Sequence, residues 1–294
     1  YNSRSHADGP LGFGWRLAGS RSLAHTAGAS ALAITEDDGA VSRFALVRQK
    51  KGELPRFVPQ ACCTGQVVER LTGGQYLRTR EGHVELFDAK GRLVEVRDPN
   101  DLALKFAYGA DGLESIADST GRAFRLEYGQ DGRVARVTEA FKKRDQTKGK
   151  PAHEPRTVSF RYDGQGDLVS VTDVMKAQTT YAYDDKHRLV EVTQPTLEKA
   201  VLTYDGAKDW VSTLALPGGR KLDYAWGADS RGHTVRIKDE GARVTVHRYE
   251  GARLTVTDPE GLVTRQERCA RCGGFFVSEN AAGGRITHQH PDDH

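Results

Sequence analysis

A block of about 20 residues recurs along most of the chain, and this period constrains the fold more than any single residue. The spacing is 128 − 108 = 20 residues from Tyr108 to Tyr128, 183 − 162 = 21 from Tyr162 to Tyr183, and 204 − 183 = 21 from there to Tyr204. Such a period marks a repeat architecture, in which a unit buries its apolar face only by stacking on its neighbours. The eight blocks read FDAKGRLVEVRDP, YGADGLESIAD, YGQDGRVARVTE, YDGQGDLVSVTD, YDDKHRLVEVTQP, YDGAKDWVSTLALP, WGADSRGHTVRIKD and YEGARLTVTDPEG.

Each block predicts two strands joined by a turn that is rich in Gly and Asp. In the strand before the aromatic residue, every second position from Leu102 to Tyr108 is apolar and points one way, and the residues between them point the other way. The strand after the turn carries a similar alternation, as at Val94 and Val96. Period-two alternation indicates a half-buried strand. We therefore predict an all-β fold, an array of antiparallel hairpins laid side by side.

The chain has two parts by this criterion: a non-repeating opening segment at residues 1–86 and the repeat array at 87–294. The opening segment begins with the motif GPLGFGW, whose glycines permit a tight backbone path while Leu11, Phe13 and Trp15 anchor it in a core. Alternating strands around Asp-Gly and Glu-Gly predict two further hairpins, which pair Ala31–Thr35 with Val41–Leu46 and Gln75–Arg80 with His83–Phe87.

One interval in the array is longer than the others. Tyr128 and Tyr162 are 162 − 128 = 34 residues apart, and the surplus lies at about residues 142–155, KKRDQTKGKPAHEP. This stretch is polar, basic and contains Pro, so it predicts an exposed loop. A contact with phosphate or nucleic acid is the alternative interpretation of its charge.

Composition excludes several classes of function. The formal net charge of the 294 residues is only +3, from 43 basic and 40 acidic residues, which argues against a dedicated nucleic-acid surface. No apolar run is long enough for a transmembrane helix, and no signal peptide opens the chain. Because residue 1 is Tyr, we expect a piece of something longer. The four cysteines form two close pairs rather than a disulfide framework, which favours synthesis in a reducing cytoplasm.

These motifs carry a resemblance to a known family. The spacing of Tyr-Asp, Gly, Arg-Leu and Asp-Pro in the blocks resembles the YD repeat of the Rhs proteins. The motif GPLGFGWR, followed by Asp38-Gly39 and Arg43-Phe44, resembles the segment that opens the repeat region in bacterial Rhs polymorphic toxins. The likeness covers nearly the whole chain. Its departures are Trp226-Gly227 in place of Tyr-Asp, the irregular turn before Trp210, and His187 in place of a turn glycine.

The resemblance implies a structural function. Rhs repeats form a β-sheet that spirals into a hollow shell, and the shell encloses a C-terminal toxin domain until delivery, often through type VI secretion. The chain would be the N-terminal part of such a cage, and not an enzyme. Its partners would be the remainder of the shell, the enclosed toxin, and secretion-spike or adaptor proteins. It would be made in the bacterial cytoplasm and then secreted or delivered to a target cell.

The recurring tyrosines have two interpretations. Either their rings form a surface that stacks on carbohydrate or peptide, or they pack between repeats with each hydroxyl bonded to the backbone. Regular spacing favours packing. The set comprises Tyr108, Tyr128, Tyr162, Tyr183, Tyr204, Tyr224 and Tyr249.

Cysteine and histidine residues near the C-terminus form the sharpest local motif. Cys269 and Cys272 have the spacing of half a tetrahedral zinc site, which His288 and His290 could complete. A redox disulfide and a plain turn are the alternatives, and the turn is favoured, since Rhs repeats often carry Cys-x-x-Cys-Gly. Cys62 and Cys63 predict a buried pair in a strand. We therefore predict no catalytic, cofactor-binding or metal-binding residue and no cofactor.

The stretch Thr257–Leu262 is similar to the Asp-Pro-x-Gly-Leu motif near which Rhs proteins cleave themselves, with an aspartate as acid or base. Arg253 stands where a Pro is expected before that motif. Asp98-Pro99 closes an ordinary block in the same way. Asp258 is therefore interpreted as a turn residue.

Two other functions remain open from the sequence. The regularly spaced aromatic residues fit an extracellular adhesion or glycan-binding module. The Cys and His residues near the C-terminus alone suggest a zinc-binding enzyme fragment.

Overall fold

The structure is a computed structural model. It describes residues 1–5, 7–26, 30–48, 52–60, 66–80, 82–140, 155–206, 208–251, 253–268, 275–279, 282 and 284–287. The chain divides into two compact units, the first comprising Tyr1–Val58 and Val67–Leu197, the second Pro59–Gln66 and Glu198–His294.

Short strands supply nearly all the regular structure of the described residues, with a 3₁₀ turn at Pro217–Gly219. In chain order the strands are β1 (Asp8–Gly9), β2 (Gly12–Phe13), β3 (Ser22–Thr26), β4 (Ala31–Thr35), β5 (Val41–Leu46), β6 (Arg56–Pro59), β7 (Val67–Arg70), β8 (Tyr76–Arg80), β9 (His83–Phe87), β10 (Leu93–Arg97), β11 (Ala103–Tyr108), β12 (Leu113–Asp118), β13 (Ala123–Tyr128), β14 (Val134–Ala140), β15 (Thr157–Tyr162), β16 (Leu168–Thr172), β17 (Gln178–Tyr183), β18 (Leu189–Thr193), β19 (Lys199–Tyr204), β20 (Val211–Ala215), β21 (Lys221–Asp229), β22 (Gly232–Lys238), β23 (Val244–Glu250), β24 (Arg253–Thr257), β25 (Val263–Arg268), β26 (Phe275–Glu279) and β27 (Arg285–Thr287).

The strands follow one another in the sheet in the order of the chain. In the first unit, β3 to β18 lie side by side, and β1 pairs separately with β2. In the second unit, β19 to β27 do the same. The registers are antiparallel, as in β16–β17, where Val171 faces Thr179. This arrangement confirms the predicted all-β array of antiparallel hairpins.

An aspartate organises the turns between strands. Asp184 Oδ1 accepts hydrogen bonds from the backbone nitrogens of Lys186 and Arg188, at 3.0 and 2.9 Å. The intervening His187 takes a positive φ of 60°. Asp side chains readily bond to backbone groups a few residues on, which explains their enrichment in turns. The same pair of bonds recurs at Asp88, Asp98, Asp163, Asp173 and Asp258.

The first unit bends so that β3 meets the turn before β10. Leu23 N donates to Gly91 O at 2.7 Å, and Ser22 bridges Arg92. A Cβ atom on Gly91 would lie 1.8 Å from Leu23 O, so only glycine fits at this contact.

The hydrophobic core of the first unit joins the opening segment to the first repeats. Its members come from both regions, and Trp15 and Leu17 pack against them. The buried members are Leu11, Leu23, Leu32, Ile34, Phe44, Phe57, Val68, Tyr76, Phe87, Leu93, Phe106, Leu113, Leu126 and Val134.

Both predicted hairpins of the opening segment are confirmed, as β4–β5 and β8–β9. The predicted alternation in the first repeat strand gives the right faces, but burial is uneven along it. Phe106 is buried, whereas Leu104, on the same face, is 44% exposed. The apolar face is therefore covered near the tyrosine and open towards the start of the strand.

Candidate functional surface

The repeat aromatic residues bond to the backbone at a constant distance along the chain. The hydroxyl of Tyr108 donates to Leu93 O at 2.9 Å, a separation of 15 residues. Tyr128 and Tyr183 make the same bond at the same separation. Tyr162 reaches back 28 residues to Val134 O, and the extra 28 − 15 = 13 residues match the surplus of 34 − 21 = 13 in the interval between Tyr128 and Tyr162. We call this series of aromatic-to-backbone bonds the ladder, and it ties the hairpins that carry these tyrosines to the hairpins before them.

Trp226 shows that the donor group, rather than tyrosine itself, is what this position requires. Its indole Nε1 donates to Val211 O at 2.8 Å, again across 15 residues. An indole N–H is a donor only, which suffices because the backbone carbonyl is the acceptor. Replacement of Tyr by Trp in this block thus keeps the hydrogen bond to the preceding hairpin.

Burial raises the pKa of the ladder phenols. Desolvation disfavours the phenolate and is the largest cause at Tyr108, Tyr128, Tyr162 and Tyr183. These side chains stay protonated and keep their donor role. The predicted packing role of the tyrosines is confirmed at these positions.

The N-terminal strap, residues Ala7–Leu17, crosses the tyrosine-bearing face of the first unit. Pro10 O accepts from Val134 N at 2.8 Å and lies 3.4 Å from the Tyr162 hydroxyl oxygen, whose proton is shared mainly with Val134 O at 2.8 Å. Asp8 forms an ion pair of 2.8 Å with Arg133. The strap thus lies on hydrogen-bonding groups that the repeats present.

The second half of the strap uses aromatic side chains. Trp15 Nε1 donates to the Tyr183 hydroxyl at 2.8 Å, across 168 residues of sequence. The Phe13 ring stacks on His187 with centroids 3.9 Å apart and planes inclined by 17°. His187 Nδ1 lies 2.8 Å from Oδ2 of the buried Asp167. His187 occupies a turn position where the repeat usually has glycine. Its ring therefore provides the surface on which Phe13 of the strap stacks.

Tyr1 fastens the start of the chain to the same place. Its hydroxyl donates to His187 O at 3.2 Å and accepts from Leu189 N at 2.8 Å. Its ring lies 5.4 Å from that of Trp15.

Leu11 is buried and Trp15 packs against the core, which confirms that the GPLGFGW motif is anchored in a core.

A buried ionic cluster lies elsewhere in the first unit. Arg78 is fully buried and pairs with Glu36 at 2.8 Å and Glu85 at 3.2 Å. Arg21 also pairs with Glu85 and, at 2.9 Å, with Asp37. Burial alone would raise the pKa of Glu36, but the hydrogen bonds and charge of Arg78 hold it below its ordinary value. Each carboxylate of the cluster therefore has an arginine partner, and the cluster joins strands far apart in sequence.

Asp258 lies in an Asp-centred turn of the kind found elsewhere in the chain. Asp258 Oδ1 accepts from the backbone nitrogens of Glu260 and Leu262, at 3.1 and 2.7 Å, as the other turn aspartates do. This arrangement supports its interpretation as a turn residue.

Within the described ranges, no group of three or more His, Cys, Asp or Glu side chains can hold a metal ion. No helix there is long and apolar enough to cross a membrane.

Several sequence predictions lie outside the described residues. They concern residues 142–154 of the predicted insertion and the four cysteines and two histidines weighed as metal ligands, namely Cys62, Cys63, Cys269, Cys272, His288 and His290. The interpretations of those residues stay predictions.

Sequence reasoning missed the strap contacts and the ionic cluster. The partners of Trp15 and Arg78 lie far away in sequence, so no local pattern signals them. His187 was visible as a departure from the repeat, and that departure was the available signal that something packs on its turn.

The fold and the ladder define an antiparallel β-repeat protein. Within it, residues 157–196 match the family model described as RHS Repeat. This match confirms the predicted resemblance to Rhs and YD-repeat proteins, and it covers the blocks that begin at Tyr162 and Tyr183. No curated protein matches the sequence.

Several solved structures are similar over most of the chain. A crystal structure of TcdB2-TccC3 matches at TM-score 0.41 and 13% identity, covering 89% of this chain and 18% of that chain. TcdB2-TccC3-TEV matches at TM-score 0.36 and 14% identity, covering 81% and 15%. A Tc holotoxin pore from Photorhabdus luminescens matches at TM-score 0.30 and 10% identity, covering 90% and 20%. The chain spans a fifth or less of the length of these chains.

Proposed function

We propose that this chain is a non-catalytic wall segment of an Rhs-type shell, which encloses and protects a toxin domain until delivery. The observation that carries the proposal is the ladder. Hairpins of the array donate an aromatic O–H or N–H to the backbone of the preceding hairpin, as at Tyr108, Tyr128 and Tyr183 of the first unit and at Trp226 of the second, which supports extension of each unit by the addition of repeats. A sheet that extends by units suits a wall, because its size grows without a larger core.

The opening segment and the repeat array predicted from the sequence have different roles in this proposal. Residues 1–86 open the wall, and residues 87–294 continue it as the repeat array. The strap supports these roles, because residues of the opening segment bond to Val134 and Tyr183 of the array through Pro10 and Trp15. The remaining shell, the enclosed toxin and secretion-spike or adaptor proteins are the proposed partners. Synthesis in the bacterial cytoplasm and delivery through type VI secretion are part of the same proposal.

Protease protection tests the proposed function. The full-length parent protein is digested with proteinase K, and the C-terminal domain is followed by immunoblotting with and without prior denaturation. We expect protection of the C-terminal domain before denaturation and rapid loss after it. A domain that is digested equally fast in both samples would overturn enclosure. Sequencing of the parent gene should show further YD repeats followed by an unrelated C-terminal domain.

An adhesion or glycan-binding module is the second candidate. It is favoured by one observation in the second unit, where Trp226 is 40% and Tyr249 43% exposed. The rings of Trp210 and Trp226 lie 4.9 Å apart beside this open surface. A glycan array probed with the chain and with Trp226→Ala tests this candidate. It predicts binding that the substitution removes, and an array without binding would eliminate it.

A further inference from the structure

A cavity lies between the strap and the first repeats of the first unit. It has a volume of about 440 Å³, and we call it the strap cavity. The strap contributes Leu11 and Trp15 to its lining, and the repeats contribute Tyr108, Tyr128 and the turn at residues 109–112. The lining is mainly apolar, and cavities of this size and character commonly hold small organic molecules.

Two polar side chains of the lining, Arg16 and Ser20, have unused hydrogen-bonding capacity. Arg16 Nε and Ser20 Oγ are buried, and neither has a hydrogen-bond partner among the described residues. A guanidinium carries five N–H donors, and the bond that Arg16 makes within the described residues runs from Nη2 to Ser20 O at 2.9 Å. Since buried polar groups in native proteins are nearly always paired, these two atoms indicate a missing acceptor.

The charges of the lining indicate that this acceptor is an anion. Arg21 and Arg92 pair with carboxylates at 2.9 and 2.7 Å, whereas the described residues give the half-buried Arg16 no carboxylate partner. The lining also includes Asp111, which is exposed on its turn, where solvent screens its charge. The positive charge of Arg16 is therefore the one that a bound group would compensate.

The rings of the lining determine what the rest of the bound molecule is. The Trp15 N–H bonds to Tyr183, and the hydroxyls of Tyr108 and Tyr128 bond to the backbone. Because these polar groups are already used, the rings offer apolar surface to the cavity. Aromatic groups pack well on such surfaces in offset or edge-to-face arrangements. The cavity therefore favours an aromatic body attached to the anionic group.

We propose that the strap cavity binds a small aromatic carboxylate. The carboxylate accepts hydrogen bonds from the Arg16 guanidinium and from the Ser20 hydroxyl, and the aromatic ring packs against Trp15 and Tyr128. Hydrogen bonds between a guanidinium and a carboxylate are charge-assisted and stronger than neutral ones. The inference is independent of the proposed function, because the site needs neither an enclosed toxin nor a further part of a shell.

Calorimetric titration of the intact chain tests the proposal. The probe is 4-benzoylbenzoate, and its neutral counterpart 4-benzoylbenzamide is the comparison compound. The variant Arg16→Met removes the charge and keeps an unbranched apolar side chain. Arg122→Met is the matched control, because Arg122 belongs to the same unit, lies outside the cavity and has a side chain that is 80% exposed. Circular dichroism confirms that each variant folds.

We expect the parent chain and Arg122→Met to bind the carboxylate about tenfold more tightly than the amide, and Arg16→Met to lose this preference. Equal affinity of the parent chain for the carboxylate and the amide would overturn the proposal. So would an Arg16→Met variant that binds the carboxylate as the parent chain does, or a parent chain that binds neither compound.

Photo-crosslinking gives a second readout that does not depend on the folding of a variant. The probe is itself a benzophenone, so irradiation joins it to C–H groups next to its binding site, and mass spectrometry of tryptic peptides locates the adducts. We expect adducts in peptides that contain Trp15, Tyr108 or Tyr128, and an excess of benzoate should suppress them. Adducts confined to Met175, which is 80% exposed and outside the cavity, would contradict the proposed site.

Discussion

At the residue scale, the polar atoms of single side chains hold together segments that are remote in sequence. The Tyr183 hydroxyl is the clearest case, because it donates to Leu168 O and accepts from Trp15 Nε1, both at 2.8 Å. Hydroxyl oxygen has two lone pairs and one proton, so one atom serves both the ladder and the strap. Repeat packing and strap docking are therefore coupled through one oxygen.

Replacing this hydroxyl should destabilise the chain. We expect Tyr183→Phe to lose about 1–3 kcal/mol of unfolding free energy, because a carbonyl and an indole N–H both lose their partner. Tyr249→Phe is the control, since the Tyr249 hydroxyl makes no hydrogen bond within the described residues and its side chain is 43% exposed. Urea unfolding followed by tryptophan fluorescence measures both. Equal stability of the two variants would refute the double role of Tyr183.

The ionic cluster predicts a pH-dependent penalty. We expect Arg78→Met to destabilise the chain by about 3–5 kcal/mol at neutral pH, because Glu36 and Glu85 lose their buried cation. In the parent chain the pKa of Glu36 is depressed below its ordinary value of 4.5. Its stabilising contribution is therefore present above that pH and is lost as the pH falls through the folded-state pKa.

Without Arg78, its hydrogen bonds and charge no longer offset the burial of Glu36, so the pKa of Glu36 rises and acid neutralises this carboxyl at little cost. The difference in unfolding free energy between the parent chain and Arg78→Met should shrink on acidification. Urea titrations at neutral pH and at about pH 4, just below the reference pKa of a glutamate, measure it. A penalty that is constant or grows in acid would contradict this account.

At the element scale, the Asp-centred turn is a standard unit whose tolerance depends on what lies next to it. Gly91 and Gly261 occupy the same place in the turns after Asp88 and Asp258, with φ of 79° and 84°. Strand β3 approaches the first of these turns, whereas at the second no described atom beyond the two chain neighbours lies within 4 Å of the place that a Cβ atom on Gly261 would take. Backbone strain is thus equal at the two sites and steric contact differs.

Alanine substitution separates these two effects. Gly261→Ala should cost about 1–2 kcal/mol, the strain of a left-handed non-glycine residue. Gly91→Ala should cost at least about 3 kcal/mol, since its Cβ would lie 1.8 Å from Leu23 O and force β3 away. Thermal unfolding of both variants measures the difference. Similar losses of stability in the two variants would mean that β3 can move away from the Gly91 turn at no cost in unfolding free energy.

At the scale of the whole molecule, stability is shared between neighbouring hairpins. Tyr162 bonds to Val134 O, the strap touches it at Pro10, and the Arg133 guanidinium lies 5.8 Å from its ring centroid. In a repeat array, damage to a middle unit exposes both of its neighbours. The first unit should therefore open where this tyrosine is removed.

Limited proteolysis tests this expectation. Tyr162→Ala removes a half-buried aromatic side chain and should cost about 3 kcal/mol, the low end for such truncations. We expect faster digestion by thermolysin, with new cleavage sites in the first unit. Met175→Ala, at a residue that is 80% exposed, should digest like the parent chain. Equal resistance of Tyr162→Ala would show that the tyrosine is not a packing residue and would favour a stacking surface.

The sequence by itself determined the local and periodic features. Strand alternation, Asp-centred turns and the 20-residue tyrosine period each depend on residues close in sequence, so all-β hairpins and the packing role of Tyr108 and Tyr183 were predictable. The sequence also marked Leu11 and Trp15 as core anchors. These features repeat, and repetition makes a weak local signal reliable.

Only the tertiary structure decided which remote surfaces meet. The strap reaches Tyr183 across 168 residues, and Arg78 meets Glu36 across 42. The same alternation places Leu104 and Phe106 on one face, yet Phe106 is buried and Leu104 is open, because the chain passes over only part of that face. Which part is covered depends on the curvature of the sheet and the path of the strap. The curvature and the path each result from many strand pairings and contacts along the chain, so no short pattern of residues predicts them.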